Sequence, residues 1–548
     1  MLQTVDPGAA RDVTTPAAAH HVHELCFTLL WPLRVIAGDA TRRQQRAWEH
    51  LGADGASPWH RAQDDDEPFD EARYNAFVTF LPYVQRFLYG EGSGASRESP
   101  MRCFVRDDIR YVRLVPQAGD DAVVLDVDEV ALAFFYDVDV VLLKVSVHAR
   151  DLALDVAQDV LYRFGRGYPG GWNDDGSAQH CMHDVQWLDA QQQVLAGSDA
   201  QDRDAFLAHV GQHRAPRFAR HWSYVLAPLV CGAGGAGKGG ARVRQIEYYR
   251  MPVMAYLAVE NPRALSRNDF MRLAFVSGAG TVGSRGAYAE IEDQDFEAHC
   301  CYDRFWCDSG RAPRTRYLSS GHALVVVGDA KVPFFRDAQR GVRAQFEHQH
   351  FTAFLIAHFQ KAALLTFSDR LSQAMRALDV SDPESVKVFK RTIRSNYEAF
   401  LRFTHRYWFH EVSEQAQMRG LFKLTSRHLE LDPLYDEVKV RMSDMNDYLD
   451  ADSIRRQANT IVRLTVVTIL GLIGTITTGF LGMNLIAAAD EPGWWRVLAF
   501  VALLAGSTAL TVATIVKSRR LSDFLDTLSD DRKTWRERIQ AFVNVWRG

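Results

Sequence analysis

The sequence predicts a cytosolic α/β or α+β domain, then a long helical stalk and two C-terminal transmembrane helices. Three observations carry this prediction. Short runs rich in valine, aromatic and alternating residues fill much of the chain between Met101 and Ala330, as strands do. Polar and apolar residues recur at helical spacing from Asp337 to Leu378 and again after Pro383. Two stretches near the C-terminus are almost free of charge, and each is about as long as a bilayer core is thick.

Bulk composition sets the bounds. At 548 residues the chain is too long for one ordinary domain. With 47% hydrophobic and 24% charged residues, only a small part is suited to lipid. A net charge of -5 gives no reason to expect nucleic acid as a partner. The seven cysteines are odd in number and irregularly placed, which suits reduced thiols in a cytosolic domain.

Residues 1–20 read as a disordered leader, with His20, His21 and His23 assigned to a mobile start of the chain. Residues 21–330 form the expected α/β domain. Its expected strands are Phe104 to Val115, Val130 to Tyr136, Val140 to His148, Tyr248 to Val259 and Ala323 to Val327, with a helix from Asp151 to Phe164. Several motifs inside it are weaker than they look. Gly232 to Lys238 begins like a phosphate-binding loop, but Gly239 replaces the hydroxyl residue and a strand-like run follows, so a linker is expected. His180, Cys181 and His183, and likewise His299, Cys300, Cys301 and Cys307, lack paired zinc-ligand spacing. Asn173 to Gly176 is turn chemistry.

Residues 331–460 are expected to form the stalk, with Pro383 at a helix start and Pro433 opening the last long helix. Asp436, Glu437, Asp444, Asp447, Asp450 and Asp452 lie along it. The first expected membrane helix is 461–484, with Arg463 near one end; the loop 485–493 carries Asp490 and Glu491; the second helix is 494–516. Arg455, Arg456 and Arg463 on one side and Lys517, Arg519 and Arg520 on the other place both basic ends in the cytoplasm. Trp494 and Trp495 suit an interface, and 517–548 reads as an amphipathic cytosolic helix.

Gly482-Met483-Asn484 stands at the end of the first run, before a short loop and a second apolar run. Tyr448-Leu449-Asp450, Leu464-Thr465 and Gly479 flank it. In these residues the chain resembles the CorA family of magnesium channels. The resemblance implies a funnel-like homopentamer in the inner membrane, with both termini cytoplasmic. It also implies that Gly482, Met483 and Asn484 form an outer selectivity filter, with divalent cations, further copies of the chain and the lipid bilayer as partners. Neutral amide oxygens suit an ion that keeps its water, as magnesium does. Departures are Leu481 before the motif, Ile473 in the helix, and the loop Leu485 to Pro492.

Heptad spacing from Asp447 passes through Ala451, Ile454, Ala458, Ile461, Thr465, Thr468, Leu472, Thr475, Gly479 and Gly482. The expected lining is therefore Ile461, Thr465, Thr468, Leu472 and Thr475, with Asp447, Asp444 and Asp450 at the cytosolic mouth and Asp490 and Glu491 outside. Mg2+ is the expected cargo and regulator, holding the stalk acids of neighbouring copies together. Zn2+, Co2+ or Ni2+ on the same scaffold is one alternative; a membrane-anchored sensor is another. The sequence shows no catalytic constellation, and no enzyme is expected.

Overall fold

The structure, a computed structural model, describes residues 20–36, 48, 51, 57–62, 71–91, 101–135, 138–231, 242–280, 295–379 and 382–487, with short pieces from 492 to 509. Outside these lie residues 1–19 of the expected leader, the Gly232 to Lys238 motif, Asp490 and Glu491, and residues 510–548. The chain divides into two units, Met1–Val440 and Arg441–Gly548.

The first unit is organised by one mixed sheet, 14-stranded among the described residues. Its strands are β1 (His21–Ile36), β2 (Trp59–Arg61), β3 (Met101–Arg106), β4 (Tyr111–Val115), β5 (Val123–Phe135), β6 (Val140–Ala153) and β7 (Asp184–Leu188). The later ones are β8 (Val194–Gly197), β9 (Val230–Cys231), β10 (Arg242–Gln245), β11 (Val253–Val259), β12 (Cys301–Tyr302), β13 (Arg316–Ser319) and β14 (Ala323–Asp329). The main path runs β12-β13-β14-β11-β1-β6-β5-β4-β7-β8. Most pairs are antiparallel; β11 with β14 and β9 with β10 are parallel.

The helices are α1 (Glu71–Thr79), α2 (Pro82–Tyr89), α3 (Leu154–Arg163), α4 (Arg203–His213), α5 (Arg220–Leu226), α6 (Arg267–Phe275), α7 (Phe351–Arg376), α8 (Pro383–Arg406), α9 (Ala416–His428) and α10 (Leu431–Ala487). Helices cover both faces of the central strands, so β11 and β14 are buried along their whole length and read as unbroken apolar runs. On one face Trp31, Trp187, Trp222 and Phe164 interlock, with Trp31 and Trp222 centroids 6.1 Å apart. On the other, Phe359 of α7 stacks on Phe135 of β5 at 3.8 Å, and Phe87 of α2 joins them. Burying one such ring contributes about 1.5–3 kcal/mol.

The strands depart from expectation at their ends. The expected strand from Phe104 to Val115 is two, β3 and β4, separated by the turn where Arg106 closes on Asp108. The central strand β1 begins at His21, so His21 and His23 belong to the sheet and not to a leader. Pro383 does open α8, and Asp382 caps it by accepting from Glu384 and Ser385.

The C-terminal part calls for a correction. Among the described residues no helix is long and apolar enough to cross a membrane. The two transmembrane helices of the expected fold class are therefore not supported, nor are the multi-pass inner-membrane placement and the membrane channel built on them. Residues 461–484 form the later part of a single 57-residue helix, α10, that starts at Leu431, close to the expected opening at Pro433. Hydroxyls at Thr465, Thr468, Thr475, Thr477 and Thr478 recur through its apolar run. Of the second expected span, only short helical pieces, such as the turn bearing Trp494 and Trp495, fall among the described residues.

Candidate functional site

α10 carries nearly every residue to which the sequence assigns a role. Asp444, Asp447 and Asp450 lie at i, i+3 spacing, and all three are exposed. Asn446 donates to Asp450 at 3.1 Å. Among the described residues, neither Asp444 nor Asp447 has an ion-pair partner, so their negative charges face water within one turn of each other. Like charges this close on a helix cost a few tenths of a kcal/mol.

Further along, the expected lining lies within the bare face of the helix, which also carries Leu464 and Ile469. Asp447, Ile454, Ala458, Ile461, Thr465, Thr468, Leu472, Thr475 and Gly479 are all exposed. Ile461 is 64% and Leu472 60% exposed, large values for aliphatic side chains. At 100° per residue, Arg463, Val466, Val467, Leu470 and Gly474 fall on the opposite side, and these are half-buried. The stripe from Asp447 to Thr475 is about 42 Å long at 1.5 Å per residue.

The hydroxyls on this stripe share one geometry. Thr465 donates to the Ile461 carbonyl at 2.9 Å, Thr468 to Leu464 at 2.8 Å, and Thr475 to Gly471 at 2.9 Å. A hydroxyl has one proton to give and two lone pairs. With the proton committed to the backbone, each threonine oxygen turns lone pairs outward and acts as an acceptor. Such an oxygen accepts a hydrogen from a cation's water shell or meets the cation directly. A Cβ built on Gly479 meets nothing within 4 Å, so the stripe is low and open there.

Gly482, Met483 and Asn484 fall in the last turns of α10, where only the backbone is described. The single chain thus aligns the acids, aliphatic residues and hydroxyls on one stripe. It does not by itself gather the stalk acids into a metal-binding group.

Among the described residues, the one group of metal-ligating side chains that converges is His21, His23 and Asp151. Sequence reading missed it because two of its members were assigned to the leader; the signal available was His-x-His opening an apolar run. The other histidine–cysteine clusters are engaged otherwise. His180 Nδ1 lies 2.6 Å from the Tyr162 hydroxyl, and burial pushes the neighbouring Cys181 thiol up to about 12. Burial likewise pushes Cys301 up to about 12, while Cys307 donates to the Ser309 carbonyl. Asn173 to Gly176 closes as a turn, with Gly176 at φ +83° donating to the Asn173 carbonyl.

No protein-family model matches the chain, and no curated protein or solved structure gives a significant match.

Proposed function

We propose that the chain is a homo-oligomeric divalent-cation transporter of the CorA kind, in which copies of α10 surround an axis and pass hydrated Mg2+ along it. The observation that carries this is the exposed stripe. The residues at heptad spacing from Asp447 whose side chains are described are all left bare by a single chain, as are Leu464 and Ile469 beside them, and the series ends toward Gly482-Met483-Asn484. Leu464 and Ile469, exposed on either side of the stripe, gain by meeting further copies, since covering a leucine or isoleucine is worth about 1.5–3 kcal/mol. Around such an axis the threonine oxygens face inward as acceptors, and Asp447 of each copy forms an acidic ring. Mg2+ between those acids removes their mutual repulsion and favours the closed assembly; its loss favours the open one.

Asn484 supplies a neutral amide at the far end of the stripe, suited to an ion that keeps several waters. A five-fold assembly follows from the resemblance to that family. Zn2+, Co2+ or Ni2+ would use the same stripe, and a panel of metals separates them from magnesium.

The test is growth and metal uptake by cells that lack their own magnesium uptake. Expression of the chain restores Mg2+ uptake, and Asn484→Ala abolishes it with the protein still present. Uptake no greater than with an empty vector, or equal uptake by Asn484→Ala, overturns the proposal.

A further inference from the structure

We propose that His21, His23 and Asp151 form a transition-metal site at the end of the central β1–β6 pair, for a borderline ion such as Zn2+ or Co2+ rather than Mg2+. The inference is independent of the role given to α10.

The site follows from strand geometry. β1 and β6 are antiparallel, with His21 opposite Ala153, Val22 opposite Leu152 and Glu24 opposite Arg150. The same register sets His23 opposite Asp151. Side chains two apart on a strand share a face, so His21 joins His23 beside the carboxylate. The cross-strand partner and its diagonal neighbour are thus both imidazoles. His21 Nε2 and His23 Nδ1 each lie 3.7 Å from Asp151 Oδ1, and all three ligand atoms fall within 4.8 Å of one another.

Those separations exceed a hydrogen bond, so the three groups converge without bonding to each other. Ligands held at about 2.0 Å in a tetrahedron around zinc stand about 3.3 Å apart, a few tenths of an ångström less than the two nitrogen–carboxylate separations of 3.7 Å. A small rotation of side chains that are 41%, 38% and 71% exposed closes the gap. The backbone is arranged around the same point. Asp151 adopts φ +55°, an uncommon left-handed conformation, and β1 shifts register against β11 between Val22 and Glu24, at His23. Two imidazoles and one carboxylate select borderline metals, and the exposed side leaves further positions to water. Magnesium prefers an all-oxygen set.

His148 with Asp126 and Asp128 is the nearest rival by composition. There, however, the His148 Nδ1 contact to Asp128 is 2.7 Å, a hydrogen bond that already engages the ring. His60 has a single carboxylate partner among the described residues, Asp107 at 3.2 Å, and serves as a control.

The experiment is titration of the untagged full chain with Co2+, followed by visible absorption and by calorimetry, then competition with Zn2+ and with Mg2+. One Co2+ per chain is expected, with ligand-field bands, displacement by Zn2+ and none by equimolar Mg2+. His21→Gln, His23→Gln and Asp151→Asn each weaken binding by about tenfold or more, while His60→Gln does not. Asparagine tolerates the left-handed backbone of Asp151, and metal-free melting curves show that each variant folds. No Co2+ uptake by the folded chain overturns the site, as does uptake that is the same in all three variants. Retention of this binding in Asn484→Ala separates it from any failure of the transport proposal.

Discussion

Arg106 shows how this fold keeps a charge inside. Only 3% exposed, it donates from Nε and Nη2 to both oxygens of Asp108, and from Nη1 to the carbonyls of Tyr224 and Val225 at 3.0 and 2.9 Å. Its guanidinium also lies over the Trp59 and Tyr224 rings. Burial opposes the charged form of Asp108, but the Arg106 hydrogen bonds and charge outweigh it and hold the carboxyl below its usual range. Lysine cannot reproduce this planar fork. Arg106→Lys is therefore expected to cost about 3 kcal/mol, read as a lower urea midpoint. Space is as tightly set at Gly328, where a Cβ would lie 2.2 Å from the Phe335 ring. Gly328→Ala is expected to cost about 1–3 kcal/mol by the same measurement. Neither demand shows in the sequence, because each depends on a partner brought close only by the sheet. Residue chemistry was legible where it was local: Pro383 reads as a helix start and is one.

Among the elements, α10 was legible in its periodicity and in its opening near Pro433. The heptad stripe from Asp447 onward needs only the 3.6-residue repeat, and the helix presents those residues together. The expected last helix, opening near Pro433 and running on through Asp447, is α10; residues 488–491 of the expected loop lie outside the described residues. Leu472→Asp places a charge in the middle of the bare stripe. It is expected to shift the chain to smaller species in sedimentation at fixed concentration, with melting of the sheet unit unchanged. The strands were harder to read. β1 is apolar for most of its length and carries Pro32, a pattern that periodicity cannot tell from a buried helix. β3 and β4 merge in sequence because the Arg106–Asp108 turn between them has neither glycine nor proline.

Across the whole molecule, sheet order and the two covered faces were beyond reach of the sequence, since they depend on pairings such as β11 with β14, over 60 residues apart. One consequence is measurable. His221, His350 and His358 are fully buried, and burial pushes each down to about 3. In the unfolded chain they take up protons near pH 6.5. The stability that follows from keeping them neutral is complete above pH 6.5 and is lost as the pH falls toward 3. Urea unfolding should therefore give a lower midpoint at pH 5 than at pH 7. His221→Leu, which removes a ring with neither nitrogen partnered among the described residues, should flatten that dependence.

The mass of the purified full chain, measured by light scattering with and without Mg2+, bears most directly on whether copies of α10 gather around an axis. The expected result is an assembly of several chains, five by the family resemblance, that is more stable to dilution with Mg2+ and loses this dependence in Asp447→Asn. A single chain at every concentration, unchanged by Mg2+, would contradict it.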